Sequence, residues 1–298
     1  MTDQPGTGAI PISDSELRTL LLEYRRENWN GIQPEAIQRQ IVEDILCGDA
    51  GVPLQQVGPY VAISTESRIL DLGSGVGSFV VACRRRGLQA FGLEPDRIGQ
   101  GAKVTSIEIA RRRLVAPVFV SGVGEGLPFP DACFDLVVLN QVIEHVAEQA
   151  IVVREAARVV REGGGIYIAC PNYLRFYEPH YRILWAPLLP KALGWIYLRL
   201  RGRSSAMLNQ LTYTTNRRLR ELLGSLGPDY MVLDLHREQF LRKRSAGSFA
   251  GRSTRMVAKL TQLPLLGSLV LRAILEYGSL TEGACEMLVL RKPRMVGK

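Results

Sequence analysis

Histidine is scarce in this chain of 298 residues: there are three, His145, His180 and His236. An imidazole that moves a proton in catalysis must be one of them. The five cysteines (Cys47, Cys83, Cys133, Cys170 and Cys285) are scattered and odd in number, and none forms a Cys-x-x-Cys pair. That spacing argues against a disulfide framework and against a zinc site, so no metal is expected, and it points to a reducing, cytoplasmic setting. No Gly-x-x-x-x-Gly-Lys-[Ser/Thr] stretch occurs, which excludes a P-loop. No apolar run reaches the roughly 18–20 residues that span a bilayer. The opening residues lack the charged, apolar, small-residue order of a signal peptide.

Apolar residues make up 46% and charged residues 22%, the proportions of an ordinary globular protein with one large domain or two small ones. The net charge of +8 suits nucleic acid, an anionic membrane surface, an anionic substrate, or simply a basic soluble surface.

The stretch 68–79 organises the rest. Ile69, Leu70 and Leu72 read as a short buried strand. Gly73, Gly75 and Gly77 then open a loop that runs into a helix through Val80 and Val81 to Arg86. A strand, a glycine loop and a helix start make a nucleotide-binding element, because glycine lets the backbone come close to a ligand and a helix N-terminus offers free N–H groups.

Further strands are expected at 88–93, 117–121, 134–139 and 166–170, with helices at 97–113 and 147–161 between them and Gly163, Gly164 and Gly165 closing the second helix. Near-continuously apolar strands alternating with helices predict a mostly parallel sheet covered on both faces. Ligands then bind beyond the strands' carboxyl ends. Before this region two helices are expected, one capped near Ser13, Asp14 or Ser15 and one starting near Pro34. They either cover a cofactor cleft or pack on the core. After it come residues 173–212, rich in aromatics and proline and ending in Arg199, Arg201 and Arg203. They read as an inserted lid. A helix over 213–227, a strand near 229–235 and a last strand at 285–290 complete the pattern, with a basic and apolar insertion at 237–282. The expected divisions are 1–60, 61–172, 173–212 and 213–298.

The dehydrogenase fingerprint Gly-x-Gly-x-x-Gly would need glycine at 78, where Ser78 stands. An acid does close the second strand: Glu94, twenty-one residues after Gly73. A carboxylate there accepts hydrogen bonds from both hydroxyls of a ribose, which fits a nicotinamide dinucleotide or any adenosyl ligand.

Residues 69–77 resemble motif I of the class I S-adenosylmethionine-dependent methyltransferases, and Glu94 sits where that family holds the ribose. Gly124, Glu125, Gly126, Leu127, Pro128, Phe129, Pro130 and Asp131, followed by Phe134 and Asp135, resemble the family's loop beside the adenine. Residues Asn140 to Val146 resemble the segment after the fourth strand in the small-molecule branch (type 11), which includes the ubiquinone-type O-methyltransferases. Glu162 with the three glycines matches the turn before the fifth strand. The resemblance covers roughly residues 60–240. It implies a Rossmann-like seven-stranded sheet of order 3-2-1-4-5-7-6, S-adenosyl-L-methionine as cofactor, and Asp71, Gly73, Gly75, Gly77, Glu94, Gly124, Glu125 and Asn140 around it. Where the family often carries an aspartate for the adenine amino group, this chain has Val123, which leaves that contact to Glu125 or a backbone carbonyl. Leu127 and Phe129 either wall the adenine or fill core.

Methyl transfer to an oxygen of high pKa needs a base, and His145 and His180 are the candidates; His236 lies past the sixth strand and reads as structural. Methyltransferases that act on exocyclic amines of nucleic acids carry Asn/Asp-Pro-Pro-aromatic after the fourth strand. Residues 140–143 lack the prolines, which disfavours nucleic acid. The reading is therefore transfer to an oxygen of a small molecule, glycan or lipid precursor, with an RNA methyltransferase or a non-catalytic cofactor-binding protein as alternatives. The apolar, basic-edged lid also suits contact with the anionic inner face of a membrane.

Overall fold

The computed structural model describes residues 12–48, 51–95, 104–114, 117–238, 241, 268–269 and 284–293. Seven strands form one sheet in the order β3-β2-β1-β4-β5-β9-β8. These are β1 (Arg68–Leu72), β2 (Gln89–Glu94), β3 (Phe119–Ser121), β4 (Phe134–Asn140), β5 (Val160–Pro171), β8 (Tyr230–Asp234) and β9 (Ala284–Arg291). Only β9 runs against its neighbours β5 and β8. This is the Rossmann-like arrangement expected from the sequence. The last two strands carry higher numbers because a two-stranded hairpin, β6 (Tyr177–Glu178) with β7 (Ile183–Leu184), intervenes.

Each face of the sheet is covered. Leu70, Leu72, Val137 and Leu139 pack with Val152, Val153 and Ala156 of α6 (Gln149–Val159) and with Leu219 and Leu223 of α9 (Asn216–Gly224). Ile69, Leu136 and Val138 pack on the other side with Val80 and Cys83 of α4 (Ser78–Arg85) and with Ile107 and Ala110 of α5 (Ser106–Arg113). Strands buried on both sides are apolar at consecutive positions, as in Leu136–Leu139 of β4 and, apart from Asp71, in Ile69–Leu72 of β1.

The local signals hold at several ends. Ser13 and Glu16 form a reciprocal capping box at the start of α1 (Asp14–Trp29), and Pro34 precedes α2 (Glu35–Cys47). At the start of α9, Thr215 accepts from the Arg218 N–H, and the neighbouring Thr214 hydroxyl donates to the Pro171 carbonyl. A short α3 (Gly51–Val57) was not foreseen.

Three expectations need correction. Gly163, Gly164 and Gly165 do not cap a helix. Helix α6 ends at Val159 and the glycines lie within β5, where the β4–β5 register slips between Phe134↔Val160 and Leu136↔Gly165. Glycine is needed there because Gly163 has φ +74° and a Cβ on Gly164 would stand 2.7 Å from the Asp135 carbonyl. The helix expected over 97–113 is described only as α5, opened by a second capping box, Thr105 with Glu108. The helix expected over 147–161 starts two residues later, at Gln149. Of the basic and apolar insertion expected at 237–282, all but residues 237, 238, 241, 268 and 269 lie outside the described residues.

Residues 173–212 carry their own small core of Tyr181, Ile183, Trp185, Leu198 and Leu208, closed by Ile32 from the turn between α1 and α2. The two segments are joined further by backbone and side-chain bonds: Ser204 N–H to the Gly31 carbonyl (2.8 Å), Arg203 to the Ile32 carbonyl (3.1 Å) and Gln33 Nε2 to the His180 carbonyl (2.7 Å). The leading helices therefore pack against the segment after β5, over the carboxyl edge of the sheet.

Candidate active site

The glycine loop is pinned to β2. The N–H groups of Gly73 and Ser74 both donate to the Leu93 carbonyl (2.8 and 3.0 Å), and that of Gly75 donates to Glu94 Oε2 (2.9 Å). All three loop glycines have left-handed backbone, but their surroundings differ. A Cβ on Gly73 would come within 2.5 Å of the Val142 side chain, and one on Gly77 within 2.7 Å of Phe119. At Gly75 nothing lies within 4 Å. The outer two glycines are required by packing, and the middle one faces open space that a ligand can approach.

Glu94 is held from two sides, by Gly75 and by the Ser106 hydroxyl (2.8 Å) in the first turn of α5. Burial raises its pKa above the ordinary value, although both hydrogen bonds oppose that. Ser106 escaped the sequence reading because α5 was expected to start near Arg97. The signal was present in the spacing of Thr105 and Glu108. Asp71 lies in the middle of the sheet, paired in register with Gly92 and Val138 and almost wholly buried. Burial, with the charge of Glu94 adding to it, pushes its pKa up to about 8. A positively charged ligand arriving beside these two acids would relieve that repulsion.

The loop after β3, which the resemblance sets beside an adenine, is clamped by α6. Arg158 donates to the carbonyls of Leu127 (3.0 Å) and Phe129 (2.8 Å) and to Asp131, while Glu155 accepts the Leu127 N–H. Gly124 is buried, its α-carbon facing Leu72 and Val152, whereas Glu125 and Val123 are more exposed. Leu127 belongs to the core, and Phe129 packs edge-on against Phe134.

Residues 70–168 match the family model described as "Methyltransferase domain". A probable S-adenosylmethionine-dependent methyltransferase of Mycobacterium tuberculosis is 33% identical over 105 residues, 35% of each chain. Residues 70–168 are a class I methyltransferase domain of the type 11 branch. Its cofactor is S-adenosyl-L-methionine, and the open cradle at Gly75 beside the Glu94 carboxylate fits the ribose and methionine ends of that molecule. The ubiquinone/menaquinone biosynthesis C-methyltransferase of Xylella fastidiosa is 26% identical over 46% of this chain and 55% of its own. The match to these curated relatives therefore spans between a third and about half of their length. For the fold, a phospholethanolamine N-methyltransferase of Haemonchus contortus, solved with S-adenosylhomocysteine, superposes on 96% of this chain and 61% of its own, with a TM-score of 0.50 at 16% identity.

Beyond the methyltransferase domain's β4, Asn140 is exposed, and Gln141 turns the chain with a left-handed φ of +59° while its N–H donates to the Ala169 carbonyl (2.7 Å). Such a conformation in a non-glycine residue is strained and is held here by the neighbouring strand. The turn delivers Glu144 and His145. The segment after β5 delivers Glu178 and His180. Because β4 and β5 are sheet neighbours, the four meet: the His145 and His180 rings stand edge to face with centroids 5.1 Å apart. His180 Nδ1 is 2.7 Å from Glu178 Oε1, and the other Glu178 oxygen accepts the Tyr181 N–H (2.6 Å). Burial, helped by the adjacent His180, lowers the His145 pKa to about 4, so its imidazole is neutral at pH 7. Glu144 and Glu178, both fully buried, were missed as members of this site. The sequence showed them only as neighbours of the two histidines. His236 lies just past β8, at the far edge of the sheet.

Proposed function

We propose that this chain is an S-adenosylmethionine-dependent methyltransferase that acts on an oxygen of a small-molecule, glycan or lipid-precursor acceptor. The observation that carries the acceptor side is the Glu178–His180 pair beyond β5. With Nδ1 directed at the carboxylate, Nε2 is left to take a proton. When bound, the cofactor would supply an electrophilic methyl group with a neutral thioether as the leaving group. His180 Nε2 accepts the hydroxyl proton, and Glu178 holds the ring and balances the charge that results. The glycine loop and Glu94 fix the cofactor, so alignment of the two reactants falls to β1, β2 and the turn after β4.

In the test, the chain binds S-adenosylhomocysteine by calorimetry and transfers labelled methyl groups to a bacterial metabolite or lipid extract. His180→Gln keeps that binding and lowers transfer about 100-fold. Absence of binding overturns the whole reading. Binding without transfer to any pool favours the non-catalytic alternative. Undiminished transfer by His180→Gln removes only the base.

The same reading places the acceptor near a membrane surface. In α7 (Lys191–Leu200), Gly194 and Leu198 face the lid core, while Leu193, Trp195, Ile196 and Leu200 are exposed together with Leu184. Lys191, Arg199 and Arg201 border this face, Arg199 lying over the Trp195 ring. An apolar face with a cationic rim suits the interface of an anionic bilayer. No described helix is long and apolar enough to cross one. Flotation with phosphatidylglycerol vesicles should carry the chain upward, and Trp195→Glu with Ile196→Glu should leave it at the bottom. Native protein that stays at the bottom rules out this contact.

A further inference from the structure

We propose that Glu144, His145 and His180 form a binding site for a divalent transition-metal ion of the zinc class. The role given to that ion below rests on the methyltransferase reading, but its binding does not. Three observations converge.

The first is geometry. His145 Nε2 and His180 Nε2 each stand 3.9 Å from the same oxygen, Glu144 Oε1, and the three ligand atoms all lie within 4.8 Å of one another. Around a tetrahedral ion with bonds of about 2.0–2.1 Å, such atoms stand roughly 3.3 Å apart. Closing the gap requires small side-chain rotations. His145, whose side chain is 35% exposed, is free to make them.

The second is the state of Glu144. Its side chain is fully buried, and neither carboxylate oxygen has a hydrogen-bond partner. A buried carboxylate without donors is costly. No lysine or arginine among the described residues pairs with it. What faces Oε1 is the pair of imidazole nitrogens, which are themselves lone-pair donors to a metal when neutral.

The third is the outer layer. Glu178 accepts from three directions: the His180 Nδ1 side (2.7 Å), the Tyr181 N–H (2.6 Å) and the Tyr173 hydroxyl (3.3 Å). A carboxylate on Nδ1 fixes the tautomer that presents the Nε2 lone pair, the arrangement that commonly orients a metal-bound histidine. The turn carrying Glu144 is also tied to the returning lid, because the Thr212 N–H donates to the Glu144 carbonyl (2.7 Å).

The donor set is two imidazoles and one carboxylate. It suits zinc, iron(II), cobalt or nickel better than magnesium or calcium, which prefer oxygen. Three protein ligands leave a position open, the pattern of a catalytic rather than a structural site. The scattered cysteines had argued against zinc in the sequence, but they exclude only thiolate sites. An ion seated there would lower the pKa of an acceptor hydroxyl at the open position so that its proton passes to solvent water, and His180 would then be a ligand in place of the base.

The experiment uses the full chain, stripped with chelator and titrated with cobalt(II) while the visible spectrum is followed. Zinc content of the untreated protein is measured by mass spectrometry. One equivalent of cobalt with a ligand-field band that zinc abolishes is the expected result. Glu144→Gln and His180→Ala lose the band, and Glu178→Gln weakens binding 10- to 100-fold. If Glu144→Gln does not fold, His145→Ala, at the exposed side of the cluster, provides the same readout. No band, or a band of native strength in these variants, overturns the site. S-adenosylhomocysteine calorimetry on the same samples separates the two readings. Cobalt binding without cofactor binding leaves the metal site standing and removes the methyltransferase, and the reverse result removes the metal alone.

Discussion

Glu94→Ala is expected to lower affinity for S-adenosylhomocysteine about a thousandfold. Glu94 closes β2 and already accepts from the Gly75 N–H and the Ser106 hydroxyl, and a carboxylate has lone pairs left for a ribose diol. A hydrogen bond to a charged group is worth about 1.5–3 kcal/mol, and two of them lost together amount to about a thousandfold in affinity. The variant also frees the Gly75 N–H, while those of Gly73 and Ser74 still tie the loop to the Leu93 carbonyl of β2. Removing a partly buried acid removes its desolvation cost, so the empty protein should melt no lower than the native chain. Calorimetry and thermal melting on one sample measure both, and an affinity within tenfold of native would remove Glu94 from the cofactor site.

The glycines at 75 and 77 should give opposite phenotypes. Gly77→Ala places a methyl group against Phe119 and Ala110 at a φ of +77°. The left-handed backbone and the overpacking together cost about 2–4 kcal/mol, and the variant should melt well below the native chain. Gly75→Ala meets no atom within 4 Å, so only the backbone preference opposes it, about 1–2 kcal/mol. Its effect should fall on the ligand, since the new methyl group fills the space beside Glu94, and S-adenosylhomocysteine binding should drop by about a thousandfold or disappear. Two positions on either side of Val76 would thus separate a requirement of the fold from a requirement of the cofactor. If Gly75→Ala binds normally, the open face of the loop does not hold the ligand.

These two cases show what was legible in the sequence. Ile69, Leu70 and Leu72 were read as a strand and lie within β1, because a strand buried on both faces is mostly apolar at consecutive positions and glycine ends the run abruptly. The alternation of such runs with helices pointed to a mostly parallel sheet, and the strand order came from the family resemblance, matching the order observed. The glycine run at 163–165 was misread because glycine after an amphipathic helix usually ends it. Here it serves a register slip within β5 that only the pairing with β4 reveals. The start of α5 was misplaced although the Thr105–Glu108 capping box was in view, so Ser106 was missed.

The acceptor side was half legible. His145 and His180 were picked for their scarcity, and their meeting follows from the adjacency of β4 and β5. Glu178 carries no periodic signal, since its role comes from a hairpin that turns it back onto His180. Glu144 was visible as the neighbour of His145, but that its carboxylate is wholly buried and unpartnered is a property of packing alone.

Arg113, in the last turn of α5, donates to the Val76 carbonyl (2.7 Å) and the Ser78 hydroxyl (3.1 Å) on one side and to the Ile45 carbonyl at the end of α2 (3.2 Å) on the other. One guanidinium thereby ties the glycine loop to the end of α2. If the loop holds the cofactor as proposed, loading it and seating the N-terminal helices should be coupled. A chain whose leading helices detach would hold its cofactor more weakly even with every residue of the cradle in place.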